Sequence, residues 1–224
     1  MIRHHVLELV SFQGPPGAGK SLICRKAATD FSGTGPIRII HISAGALIRL
    51  YCSNAAPGDT LAASFQAIMA KGEVRDVGNA TSQLIYDEIR IQSLRYAREA
   101  SAVGPHGSLR LVILLDGFPR TVQQLVDFET CFKSHIKKFV MISADTAVRA
   151  ARTERRRLCE QQRAEDPSLQ HRDLHDESVN IMVMAERRSP GCSIEIVNND
   201  NCENDAEDTI LAYVDRVREF LALA

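Results

Sequence analysis

Gly14-Pro15-Pro16-Gly17-Ala18-Gly19-Lys20-Ser21 matches the pattern G-x-x-x-x-G-K-[ST] at every fixed position. The residue types suit one task. Glycines at 14, 17 and 19 let the backbone curl so that its N–H groups point at phosphate oxygens, Lys20 adds a charge that follows the β/γ-phosphates, and Ser21 offers a hydroxyl to Mg²⁺. The flanks agree: Val6 to Phe12 reads as a buried strand and Ser21 to Ala28 as a helix. A nucleoside triphosphate is therefore the first ligand to consider, held by Gly14, Gly17, Ala18, Gly19, Lys20, Ser21 and Leu22.

Outward from this loop the chain alternates short apolar runs with longer stretches of helical spacing. The runs are Val6 to Phe12, Ile37 to Ile42, Leu109 to Leu115, Phe139 to Ser143 and Ile194 to Asn198. Helical faces are read at Leu61-Phe65-Ile68-Met69, at Leu84-Ile85-Ile89-Leu94 and at Ile210, Tyr213, Val214, Val217, Phe220 and Leu221. Strand alternating with helix predicts a three-layer α/β fold with a five-stranded parallel sheet, and a run such as Leu111-Val112-Ile113-Leu114-Leu115 suits a strand buried on both faces. Loops are expected at Phe31 to Pro36, Ser53 to Thr60 and Ser101 to Ser108, with a polar, charge-rich segment from Glu160 to Glu177.

Lys and Arg total 27 against 28 Asp and Glu, so net charge gives no support to a broad nucleic-acid or membrane-surface role. The six cysteines form no C-x-x-C pair, which argues against structural zinc and a disulfide framework and for reduced thiols. No apolar segment reaches the ~18 residues of a membrane span. A soluble, cytoplasmic protein without nucleic-acid or membrane partners, working as a monomer, is the expectation.

The third run ends in Asp116-Gly117-Phe118-Pro119-Arg120. In a parallel α/β sheet, ligands gather at the carboxyl ends of central strands. Asp116 there can act on Mg²⁺ or its water shell, Gly117 permits close backbone approach, and Pro119 stiffens a turn presenting Arg120, whose fork matches a phosphate.

With these residues the chain resembles the adenylate kinase family of nucleoside monophosphate (NMP) kinases, which includes adenylate and UMP/CMP kinases. Gly14 to Ser21 is similar to the family's phosphate loop, His41 to Arg49 to its first acceptor-binding segment, and Leu115 to Gln124 to its signature. The resemblance implies a P-loop kinase that transfers a phosphoryl group from ATP·Mg²⁺ to an NMP. It implies an acceptor site of Ser43, Ala44, Arg49, Gly117, Arg120 and Gln124, in which Arg49 and Arg120 hold the phosphate and the Gln124 amide reads the base. Ala46 stands where the family has an acidic residue, and Met69 to Asp76 lacks the family's Val-Pro. The implied layout is a single domain with core 1–42, 81–156 and 173–224, a helical NMP-binding insert at 43–80 and a short, zinc-free lid at 157–172.

Downstream, Arg152 and Arg156 stand one helical turn apart in a basic stretch. Phosphoryl transfer needs cations around the equatorial oxygens. By the resemblance, Arg152, Arg156, Arg163 and Arg172 join Lys20 and Arg120 as catalytic candidates, with Arg155 or Arg157 as alternative members of the pair, beside a solvated basic helix face as the bland reading. His171 and His175, at i and i+4, lack a third ligand for a metal. AMP is the expected acceptor. A pyrimidine monophosphate (UMP, CMP or dCMP) and a nucleotide-binding switch or assembly factor without acceptor turnover are the two rivals.

Overall fold

The computed structural model describes residues 6–30, 37–71, 79–102, 110–133, 135–159, 174–197 and 207–221. The elements run β1 (Val6–Gln13), α1 (Lys20–Asp30), β2 (Ile37–Ser43), α2 (Ala44–Asn54), α3 (Thr60–Lys71), α4 (Ala80–Ala102), β3 (Arg110–Asp116), α5 (Val122–Phe132), β4 (Ile136–Ser143), α6 (Thr146–Cys159), α7 (Leu174–Arg188), β5 (Ser193–Val197) and α8 (Glu207–Phe220). The strands form one five-stranded sheet in the order β2-β3-β1-β4-β5, every neighbouring pair parallel. The expected α/β fold is the observed one.

Side chains alternate between the two faces of the sheet. Leu9, Leu111, Ile113, Leu115 and Phe139 meet Ile85 and Ile89 of α4, Leu125 and Phe128 of α5, and Ile181 of α7. Val10, Phe12, Val112, Leu114, Val140 and Ile142 meet Ile23 and Ala27 of α1 and Val214, Val217 and Leu221 of α8. β1 and β3 lie at the centre with both faces covered, which is why Leu111 to Leu115 reads as an unbroken apolar run and β1 as a mostly apolar one, interrupted by Glu8, Ser11 and Gln13.

Local signals explain the element ends. Asp59 Oδ1 accepts the Ala62 N–H and caps α3, Thr121 Oγ1 accepts the Gln124 N–H and caps α5, and Lys133 in the left-handed region (φ 50°) stops α5. β4 begins at Ile136, three residues before the expected Phe139, because Lys138 reaches the Phe220 carbonyl (2.6 Å) and its polar character disguises a strand residue. The loop expected over Ser53 to Thr60 shrinks to residues 55–59, since Ser53 and Asn54 finish α2 and Thr60 opens α3. Leu94 is 56% exposed rather than on the buried face of α4, which runs through Ile85, Ile89 and Tyr96 at a closer helical register. Ser101 and Ala102 complete α4. The expected loop at Phe31 to Pro36 lies outside the described residues, as do 103–109 and 160–173. No helix among the described residues is long and apolar enough to cross a membrane.

Candidate functional site

The phosphate loop leaves β1 at Gln13 and enters α1 at Lys20, between the ends of β3 and β4. Two of its glycines are required by their neighbours. A Cβ on Gly14 (φ +128°) would sit 2.0 Å from the Ile142 carbonyl oxygen at the end of β4, and one on Gly17 (φ +80°) 2.6 Å from that of Arg149 in the first turns of α6. The loop is thus wedged against the β4–α6 junction, which fixes its curl. Ala18 is buried, its N–H donating to the Pro15 carbonyl at 3.3 Å; the Gly19 carbonyl accepts the Leu22 N–H at 3.0 Å. Lys20 Nζ bridges the carbonyls of Gly14 (2.6 Å) and Pro15 (2.9 Å), so the ammonium lies over the loop mouth.

Ser21 and Asp116 come together although 95 residues separate them. Ser21 Oγ donates to Asp116 Oδ2 at 2.5 Å, and His41 Nε2 lies 3.3 Å from the same oxygen. Asp116 is only 5% exposed. Burial pushes its carboxyl up, but the His41 hydrogen bond, the nearby Lys20 charge and the Ser21 hydroxyl outweigh that and hold it below the usual carboxylate value. An ionised carboxylate beside a hydroxyl is a pair of hard oxygen donors. Mg²⁺ takes such a pair together with phosphate oxygens and water, and among the described residues no group of three or more His, Cys, Asp or Glu could cage an ion by itself. Ser21 and Asp116 therefore fit a Mg²⁺ that arrives with a nucleotide. Cys24, buried one turn further along α1, has its thiol pushed well up by burial and by Asp116, so it stays protonated and inert.

The turn after β3 supplies the acceptor-side candidates. Gly117 (φ +72°) donates its N–H to the Phe12 carbonyl at 3.3 Å, and Arg120 folds back so that Nε donates to the Gly117 carbonyl at 3.1 Å. Gln124 is buried, and its Oε1 accepts the Arg120 N–H at 2.8 Å. Because β2 pairs with β3 in register up to Ser43 and Asp116, the start of α2 lies beside this turn. Ser43 precedes the helix, Ala44 is buried, and Arg49 is exposed with its guanidinium lying over Gly45. The α2–α3 hairpin thus fills most of residues 43–80.

Arg152 and Arg156 lie on α6, whose N-terminal turns touch the phosphate loop through Arg149. Arg152 is half-buried; Arg163 and Arg172 lie outside the described residues. The sequence reading missed three site residues: Ser11, Gln13 and His41. Ser11 and Gln13 left one signal, as polar residues inside a mostly apolar strand; His41 stood at the head of the segment His41 to Arg49, but its contact with Asp116 depends on β2 lying beside β3.

A family model described as an AAA domain matches residues 13–171, well over half of the chain. An adenylate kinase of Petrotoga mobilis (strain DSM 10674 / SJ95) is 30% identical over 151 residues, covering 66% of this chain. The chain belongs to the AAA-domain family. The alignment spans 57% of that relative's own length. The residues matched by the AAA-domain model take in the loop, the Ser21–Asp116 pair and the turn carrying Arg120.

Proposed function

We propose that this protein is an NMP kinase that moves the γ-phosphoryl group of ATP to a nucleoside monophosphate, AMP being the best acceptor. The observation that carries the reading is the convergence at one end of the sheet of a phosphate loop with Lys20 over its mouth, an ionised Asp116 bonded to Ser21, and an Arg120-bearing turn one step beyond Asp116. A loop alone would serve any nucleotide-binding switch; a second cation, the phosphate-matching Arg120 at the neighbouring strand end, favours a second phosphate.

In this reading Gly14 to Leu22 hold the ATP phosphates and Lys20 offsets charge on the β/γ oxygens. Ser21, with Asp116 acting through the ion's water shell, holds Mg²⁺, which when bound neutralises the triphosphate. Arg49 and Arg120 hold the acceptor phosphate in line, and arginines of 152–172 gather around the transferring group. The insert at 43–80 receives the monophosphate and the lid at 157–172 excludes water.

Base choice rests on Gln124. Its oxygen is tied to the Arg120 N–H, so the amide keeps one orientation. The remaining lone pair can accept from the amino group of adenine or cytosine while the NH₂ donates to the adjacent ring nitrogen. Uracil and guanine need the reverse arrangement, and turning the amide over forfeits a bond worth about 0.5–1.5 kcal/mol. The order expected is AMP, then CMP or dCMP, then UMP and GMP. Measuring kcat/KM for each with ATP·Mg²⁺ tests it: a preference for UMP or GMP would overturn the Gln124 argument, and no turnover with any base would overturn the kinase reading.

A further inference from the structure

Two side chains in the central strand have no place in the scheme above. Ser11 and Gln13 stand two residues apart on β1, on one face, and are 0% and 3% exposed. Burying a hydroxyl or an amide costs free energy unless its hydrogen bonds are met, and an apolar residue at either position would simply join the core. Here they are met in one direction only. Gln13 Nε2 donates to the Pro119 carbonyl at 2.8 Å and to Ser11 Oγ at 2.6 Å, and Ser11 Oγ donates onward to the Phe118 carbonyl at 2.9 Å. Both amide hydrogens and the hydroxyl hydrogen are used. With the Gly117 N–H bonded to the Phe12 carbonyl, residues 11–13 grip three consecutive residues of the turn from across the sheet.

We propose that Gln13 and Ser11 are positioning residues for the acceptor phosphate, which rests on the kinase reading above. Gln13 is the junction. Its own peptide leads directly into Gly14, whose carbonyl receives Lys20 Nζ, while its side chain holds the carbonyl of Pro119, the residue before Arg120. The cation assigned to the donor phosphates and the cation assigned to the acceptor phosphate are thereby referenced to a single residue. From the other side the turn is backed by the Phe118 ring, which is fully buried and meets Phe128 edge-on at 5.2 Å. In-line transfer tolerates little error in the separation of the two phosphates, so a clamp between their holders acts on the acceptor geometry rather than on the fold alone.

The test uses the full chain with Gln13→Met, which keeps the volume and removes both donors, and Ser11→Ala, which removes the relay but leaves the Gln13–Pro119 bond. For Gln13→Met the KM of the monophosphate should rise about tenfold, equivalent to ~1.4 kcal/mol, while the KM of ATP stays within about twofold, since no donor-loop contact is removed. Ser11→Ala should move the same constant in the same direction by less. Independently of activity, amide exchange at Gly117 and Arg120 should accelerate in Gln13→Met relative to amides of β4. Equal changes in both KM values, or unchanged acceptor KM and unchanged exchange in a folded variant, would overturn the proposal. Failure of the kinase reading is separate and shows in the unaltered protein, as absence of turnover with every monophosphate; the acceptor clamp would fall with it.

Discussion

At the scale of single residues, the site depends on a few positions where space or chemistry permits one choice. Gly17 is one. With φ +80° and the Arg149 carbonyl 2.6 Å from any added Cβ, Gly17→Ala forces either the loop or the first turns of α6 to move. A residue held in such a conformation costs about 1–3 kcal/mol. The variant should lose stability of that order by denaturant titration and bind ATP more weakly; wild-type values for both would show that the wedge is compliant. Arg120 is another. Lysine keeps the charge but loses the planar fork and the Nε bond to Gly117, so Arg120→Lys should weaken monophosphate binding by about 1.5–3 kcal/mol. Calorimetric titration with monophosphate and with ATP separates the two sides, and a loss confined to ATP would reassign the residue.

Elements are held to one another by caps and by aromatic packing. The α7–β5 turn is closed by Glu186, whose carboxylate accepts the Gly191 N–H at 2.6 Å and the Ser193 hydroxyl at 2.7 Å. These bonds, Gly191 first, hold its carboxyl below the usual glutamate value. A depressed carboxyl contributes stability in full above its unfolded value of about 4.3, and that contribution disappears as the pH falls through this value towards the folded one. Glu186→Gln should therefore be less stable than the parent at pH 7, with the gap closing below about pH 4. A gap that stays constant into acid would show that charge plays no part. On the other side of the site, Phe128 of α5 is fully buried between Phe118 and Phe132. Phe128→Ala should cost about 3–5 kcal/mol, and because its ring backs the Phe118 turn, the KM of the acceptor should rise as well. Destabilisation with an untouched acceptor KM would mean that the hydrogen bonds from β1 suffice to hold the turn.

For the whole molecule, the two ends of the sheet carry different work. At the amino ends of the strands, buried Glu8 pairs with Arg110 at 2.6 Å, and Arg110 and Lys138 donate to the Leu221 and Phe220 carbonyls, which anchors the last turn of α8. At the carboxyl ends, the polar groups of the loop, Asp116 and the Arg120 turn come together. Ligands that bind there bind the folded chain alone, so each should stabilise it by mass action: about 2.7 kcal/mol at a hundred times Kd. In a chain of this size that corresponds to a rise in Tm of roughly 5–11 °C at about 2–4 °C per kcal/mol. Thermal melts with ATP·Mg²⁺, with AMP and with both read this directly, and absence of any shift with AMP would argue for a nucleotide switch over a kinase.

What was legible in the sequence is what is local. The phosphate loop is encoded in eight contiguous residues because its ligand-facing groups are mainly its own backbone, and the five strands showed as mostly apolar runs because a sheet covered on both faces leaves few places for polar side chains. Asp116 and Arg120 were found for the same reason, as a strand end followed by a turn. The tertiary structure alone decided which strand lies beside which, and with it every contact that crosses the sheet. Placing β1 between β3 and β4 sets Gln13 against Pro119 over 106 residues of chain and Ser21 against Asp116 over 95, while β2 beside β3 brings His41 to the same carboxylate. Strand order and register carry no one-dimensional period of their own, so the partners of Ser11, Gln13 and His41 became visible only once the chain had closed on itself.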